Sequence, residues 1–233
     1  MPNFLITSDW HFGHANDVNT KGILAFERGN KFNTIQEHDK YITECIEKWL
    51  HKLATEDTFY FLGDFGRPDS KTLSELVRIF VEAKCHKVAI RGNHDHETET
   101  EIMKTLFDKV YDYPIYISNR IVLSHFPCNV WKDQINIHGH LHGSVLNSPN
   151  HVCASIHVAQ YQPINNHIVN GCLGRLPKYN RRFLWEPWAD KYQFTQKKED
   201  VVYDKDRNID LAASRVIQRF VQESCMKKSG ETE

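Results

Sequence analysis

Five short apolar runs in this chain stop at residues able to bind a metal ion or turn the backbone. The run 4–7 stops at Ser8-Asp9, 58–62 at Gly63-Asp64, 87–90 at Arg91-Gly92-Asn93-His94, 121–124 at His125, and 135–137 at His138-Gly139-His140. Brief apolar runs bounded by turn signals fit strands buried on both faces. Such strands release the chain at a sheet edge, so side chains far apart in sequence can meet there. Segments with helical spacing alternate with the early runs. The first carries Ile42, Cys45, Ile46, Trp49, Leu50 and Leu53, and Thr34 with Glu37 form a capping box at its start. The second carries Leu73, Leu76, Val77, Phe80 and Val81, and the third Ile102, Met103, Leu106 and Phe107.

After the third helix the pattern is mostly strands, predicted at 110–117, 121–124, 135–137 and 153–158. Strand–helix alternation followed by strands predicts an α/β fold, a two-sheet β-sandwich flanked by helices. Ligand sites in layered α/β folds lie beyond the carboxyl ends of strands, where each polar motif falls. The core is expected over residues 1–160, with a helical and irregular C-terminal appendage over 161–233. That appendage holds basic positions Arg175, Lys178, Arg181 and Arg182, the Trp185–Trp188 cluster, one amphipathic helix at 209–225 and a disordered tail from about 226. Residues 16–33 read as a long loop.

Composition narrows the class. The 233 residues are 40% hydrophobic and 25% charged, as in a globular protein with a real core. A formal net charge of −1 gives no overall attraction for nucleic acid. No apolar run approaches the roughly 18 residues of a membrane span, and the N-terminus lacks a secretory pattern. Six cysteines stand far apart without a CxxC pair, which predicts reduced thiols in a cytoplasmic protein.

The candidate ligands are Asp9, His11, Asp64, Asn93, His125, His140 and His142. Asp9 and His11 are two residues apart, as are His140 and His142, so each pair can face one point from an extended or loop backbone. Asp64 can share its two carboxylate oxygens between cations, and Asn93 adds an amide oxygen without charge. Asp-x-His or Gly-Asp alone is worth little, and Gly-Asn-His-Asp alone is usually a turn. Together and in this order they provide mixed N and O ligands for two divalent cations, with Mn²⁺ expected and Fe²⁺, Zn²⁺ or Ni²⁺ as alternatives.

The set Asp9-x-His11, Gly63-Asp64, Gly92-Asn93-His94-Asp95, His125 and Gly139-His140-x-His142 resembles the calcineurin-like metallophosphoesterase superfamily. The fuller run Ser8-Asp9-Trp10-His11-Phe12-Gly13-His14 is similar to a branch of small bacterial and phage phosphoesterases, where position 10 is more often small and polar. The resemblance implies one metal held by Asp9, His11, Asp64 and His142, and a second by Asp64, Asn93, His125 and His140. It implies His94 as the catalytic histidine, a proton donor to the leaving group. Asp95 is expected to orient His94, His14 to contact the substrate phosphate or support the metal ligands, and Arg91 to bind the phosphate or form a salt bridge at the strand end. The Asp-Arg pair that follows Gly-Asp in protein serine/threonine phosphatases is missing here, where Phe65-Gly66-Arg67-Pro68 stands.

The function expected is hydrolysis of a phosphate mono- or diester of a small, nucleotide-like substrate. A nuclease and a non-catalytic module on the same fold are the alternatives. The remaining histidines, 38, 51, 86, 96, 151, 157 and 167, read as ordinary surface or core residues, and His138 as a supporting or solvent-facing one.

Overall fold

The computed structural model describes residues 2–14 and 32–176, and the backbone of 183–184. The expected helix at 209–225, Lys178, Arg181, Arg182, the Trp185–Trp188 cluster, the tail and most of the 16–33 loop lie outside them.

The first four strands are β1 (Phe4–Thr7), β2 (Thr58–Phe61), β3 (His86–Ile90) and β4 (Lys109–Tyr111). They run parallel, in that order, with β10 (Ile164–Asn165) antiparallel on the free edge of β1. The helices α1 (Ile35–Leu50), α2 (Ser70–Glu82) and α3 (Glu97–Leu106) connect these strands. The second sheet has the order β5 (Ile115–Ser118), β6 (Ile121–Ser124), β8 (Ile135–His138) and β9 (His151–Cys153). Within it β6, β8 and β9 are parallel and β5 is antiparallel. A small ribbon pairs β7 (Val130–Trp131) with β11 (Phe183–Leu184).

Side-chain alternation along the first sheet divides the core in two. Phe59, Phe61 and Ala89 face the helices and pack with Ile42, Ile46, Trp49, Leu76, Ile79 and Met103. Ile6, Leu62 and Ile90 face the other way, against Leu123, Ile135, Ile137 and Val152 of the second sheet. A parallel sheet covered on both faces explains why its strands read as continuous apolar runs. The sandwich and its flanking helices are the architecture the sequence predicts.

Local details differ from the sequence reading. The single strand expected at 110–117 is two, β4 in one sheet and β5 in the other. The chain crosses between sheets at Asp112-Tyr113-Pro114, where proline removes an amide donor and restricts the residue before it. The strand expected at 153–158 stops at Cys153, after which Ser155 makes only a bridge to Ser8. In α2 the buried positions are Leu76, Ile79 and Phe80, while Val81 is exposed. Residues 161–176 are woven into the sandwich. Ile164, Ile168, Val169 and Leu176 join the inter-sheet core, and Phe4 N–H donates to Asn166 Oδ1 at 2.7 Å. The helix α4 (Asn166–Leu173) starts at Asn165, whose Oδ1 accepts from the amides of His167 and Ile168.

Candidate metal centre

The loops leaving β1 and β2 run side by side beyond the sheet. Asp9 N–H donates to Gly63 O at 2.9 Å, His11 N–H to Asp64 O at 3.0 Å and Phe12 N–H to Phe65 O at 2.9 Å. Alternation then sorts the side chains. Trp10 and Phe12 enter the helix-side core, while Asp9 and His11 turn to the other side. The Trp10 ring centroid lies 4.1 Å from that of Phe61, and Trp10 Nε1–H donates to Thr7 Oγ1 at 3.3 Å. Burying such a ring contributes roughly 5 kcal/mol of apolar transfer. In the sequence, the only signal for this anchor is a large apolar residue at position 10, where the similar branch more often has a small polar one.

The backbone bends tightly where the candidate ligands emerge. Asp9, His11, Asp64, His140 and His142 have φ of 61°, 49°, 60°, 67° and 49°. Left-handed backbone at a residue other than glycine costs on the order of 1 kcal/mol or more, and such residues gather where the surrounding structure holds them for function.

Two donor groups result. Asp9, His11, Asp64 and His142 offer ligand atoms within 4.8 Å of one another, and so do Asp64, His125 and His140. Asn93 completes the second, with Oδ1 2.8 Å from His125 Nε2 and 2.9 Å from His140 Nδ1. Asp64 belongs to both. Its Oδ1 accepts from His94 N–H at 2.9 Å, and its Oδ2 lies 3.4 Å from His11 Nε2 and 3.5 Å from His125 Nε2. No group among the described residues donates a hydrogen bond to that buried Oδ2. A buried carboxylate oxygen without a donor is costly unless a cation takes the donor's place. The spacing suits this too, since ligands at right angles around a cation with bonds of about 2.1 Å lie about 3 Å apart.

Electrostatics favour the deprotonated form of His11, His140, His142 and Asp64, and the protonated form of Asp9 and His125. Burial pushes the His11 imidazole down to about 3 and lowers His140 and His142 as well. Burial alone would raise Asp64, but His125, His11 and His94 together hold its carboxyl well below the usual range. Burial raises Asp9, partly opposed by His142 and His125. Its Oδ2 accepts from Ser8 Oγ at 2.5 Å, and its Oδ1 from His140 N–H at 3.0 Å. Burial would lower His125, yet Asp64, Asp9 and the Leu62 carbonyl raise it overall. His125 Nδ1–H donates to Leu62 O at 2.7 Å, which turns Nε2 toward Asp64 and Asn93.

Residues 2–211 match the model of the calcineurin-like phosphoesterase family. This chain belongs to that family. The crystal structure of a protein of unknown function from Aquifex aeolicus is similar to it, with 25% sequence identity and a TM-score of 0.53 over 72% of this chain and 98% of that one. No curated protein matches the chain. As a calcineurin-like phosphoesterase it is, in general terms, a metal-dependent phosphoester hydrolase, and the buried Asp and His groups fit divalent ions.

The other expected site residues fall in different places around this phosphoesterase centre. His94 is exposed, its ring centroid 5.3 Å from that of His11. His14 is half-buried, with Nδ1 3.0 Å from His11 Nδ1 and its ring 6.0 Å from that of His94. Asp95, expected to orient His94, is buried. Its carboxylate accepts from the amides of Asp64 (2.8 Å), Phe65 (2.7 Å) and Gly92 (2.8 Å), pinning two site loops together. Of its two expected roles Arg91 makes the strand-end salt bridge, donating to Asp112 Oδ1 at 2.9 Å and to the Asp95 carbonyl at 2.8 Å. Arg67 pairs with Glu99. His138, expected to support the shell or face solvent, is fully buried and donates from Nδ1 to Gly139 O at 2.8 Å. Of the histidines read as ordinary surface or core residues, His38 and His151 are buried. Sequence reasoning missed Asp39, whose Oδ2 accepts from Gly13 N–H at 2.9 Å. A carboxylate on the apolar side of α1, next to Ile42, was its only sequence signal.

Among the described residues no helix is long and apolar enough to cross a membrane.

Proposed function

We propose that this chain is a binuclear metal-dependent hydrolase of a phosphate mono- or diester on a small, nucleotide-like molecule. The observation that carries the reading is Asp64 Oδ2, buried without a hydrogen-bond donor and 3.4 and 3.5 Å from imidazole nitrogens of two different donor groups. Asp9, His11, Asp64 and His142 would hold one ion, and Asp64, Asn93, His125 and His140 the other, with Mn²⁺ the metal of choice. When bound, the pair supplies Lewis acidity toward a water and the phosphoryl oxygens.

The chain's own residues supply the rest. Asp64 keeps the two donor groups in register. His94 is exposed beside His11 on a loop fixed by its own amide on Asp64 Oδ1, and gives a proton to the departing oxygen. The net charge of −1 and the pairing of Arg91 and Arg67 with carboxylates favour a small anion over a long polyanion. The buried thiols Cys45, Cys85 and Cys153 favour a cytoplasmic setting.

The test is a Mn²⁺-supplemented assay on mono- and bis-p-nitrophenyl phosphate, then on cyclic and linear nucleotides, with metal analysis alongside. Asp64→Asn should abolish turnover and lower metal content. Near-normal turnover with two ions retained would remove the shared-ligand reading.

A further inference from the structure

The half-buried His14 stands outside both donor groups yet touches one of their members. Its Nδ1 is 3.0 Å from His11 Nδ1, and the opposite nitrogen of His11, Nε2, is the one 3.4 Å from Asp64 Oδ2. The turn that carries it is held from both sides. Gly13 adopts φ +68°, and a Cβ there would meet Arg67 O at 1.9 Å. Gly13 N–H donates to Asp39 Oδ2 at 2.9 Å, and Arg67 N–H donates to Phe12 O at 2.7 Å. The ring therefore arrives beside His11 through local backbone geometry.

Two nitrogens 3.0 Å apart can share one proton; two would repel, and none would oppose lone pairs. With the proton on His11 Nδ1, the His11 Nε2 lone pair faces Asp64, where a cation can accept it. With the proton on His14 Nδ1, His11 keeps a proton on Nε2 and cannot ligate there. Metal-bound histidines generally donate their other ring N–H to a neighbouring acceptor, which sets tautomer and orientation.

We propose that His14 is a positioning residue, accepting the His11 Nδ1 proton and so turning His11 Nε2 toward the ion it shares with Asp64. This rests on the paired-metal reading above. One consequence follows for His14 itself: its own proton sits on Nε2.

The experiment combines calorimetric Mn²⁺ titration with histidine ¹H–¹⁵N spectra of the Zn²⁺-loaded protein. His14→Ala should weaken Mn²⁺ binding about 10- to 100-fold. His14→Gln, which supplies an acceptor oxygen, should recover most of it, and His14→Leu, similar in bulk without an acceptor, should not. The spectra should show neutral His14 protonated on Nε2. Unchanged affinity in His14→Ala, equal recovery by Leu and Gln, or a His14 proton on Nδ1 would each overturn the inference and leave the paired-metal reading intact. Absence of Mn²⁺ binding by the wild type would overturn both.

Discussion

At the scale of single residues, the centre depends on close approaches that leave little tolerance. A Cβ on Gly92 would lie 2.2 Å from Asp64 Oδ1 and 2.5 Å from Asp64 N, so the β3 loop meets the carboxylate only because position 92 has no side chain. Asp95 controls the same contact from the other side, through the amides of Asp64, Phe65 and Gly92. Hydrogen bonds to a charged group contribute about 1.5–3 kcal/mol each and are not additive. Asp95→Ala should therefore destabilise the fold by about 3 kcal/mol or more in urea unfolding and reduce bound metal. Loss of metal without any shift in the unfolding midpoint would contradict the pinning role. For His94 the expectation separates chemistry from binding. His94→Asn should retain metal and slow turnover by about 10² or more, and a metal-depleted variant would make His94 a ligand instead.

The elements show how local rules and tertiary packing share control. Thr34 Oγ1 accepts from Glu37 N–H at 3.2 Å, and the Glu37 carboxylate reaches back to Asn33 N–H at 2.8 Å, one residue earlier than the standard capping box. Removing the cap by Thr34→Ala should cost about 1 kcal/mol, read as a lower thermal midpoint with unchanged metal content. If activity fell with no change in stability, α1 would be acting on the site directly, through Asp39 and Gly13. Strand ends behave differently. Backbone hydrogen bonding between the β1 and β2 loops continues past the sheet to Phe12, so the ligand-bearing loops are extensions of the parallel ladder.

On the scale of the whole molecule, the second sheet encloses histidines that fold neutral. His151 is satisfied as such, donating from Nε2 to the Cys128 carbonyl at 2.9 Å while Nδ1 accepts from Ser148 Oγ at 2.9 Å. Burial pushes His151 down to about 4, and burial together with the nearby His151 pushes His138 down to about 3. An unfolded histidine titrates near 6.5, so between about pH 6.5 and 4 the unfolded chain binds more protons than the folded one. Stability is thus complete above about pH 6.5 and falls as acid is added, by about 3 kcal/mol at pH 4 for His151 alone. His151→Gln, which retains a donor and an acceptor without an ionisable ring, should flatten that slope in urea unfolding at pH 7, 6 and 5. An equally steep slope in the variant would assign the acid sensitivity elsewhere.

The sandwich class, helices α1 to α3 and the residues that supply the two donor groups are legible along the chain before it folds. Those features are written in periodicity and in short motifs, which follow from backbone geometry and ligand chemistry within a few residues. What Asp95, Arg91 and Trp10 do emerges only when the chain has packed. Each is directed by partners distant in the chain: Asp95 by the amides of Asp64 and Phe65, Arg91 by Asp112, and Trp10 by Phe59, Phe61 and Phe65. The break at Pro114 was visible as a proline, but the switch of sheets it permits depends on where β4 and β5 find pairing partners. Composition and spacing carry short-range preference; which hydrogen bond or ring contact a side chain completes is settled when distant segments pack.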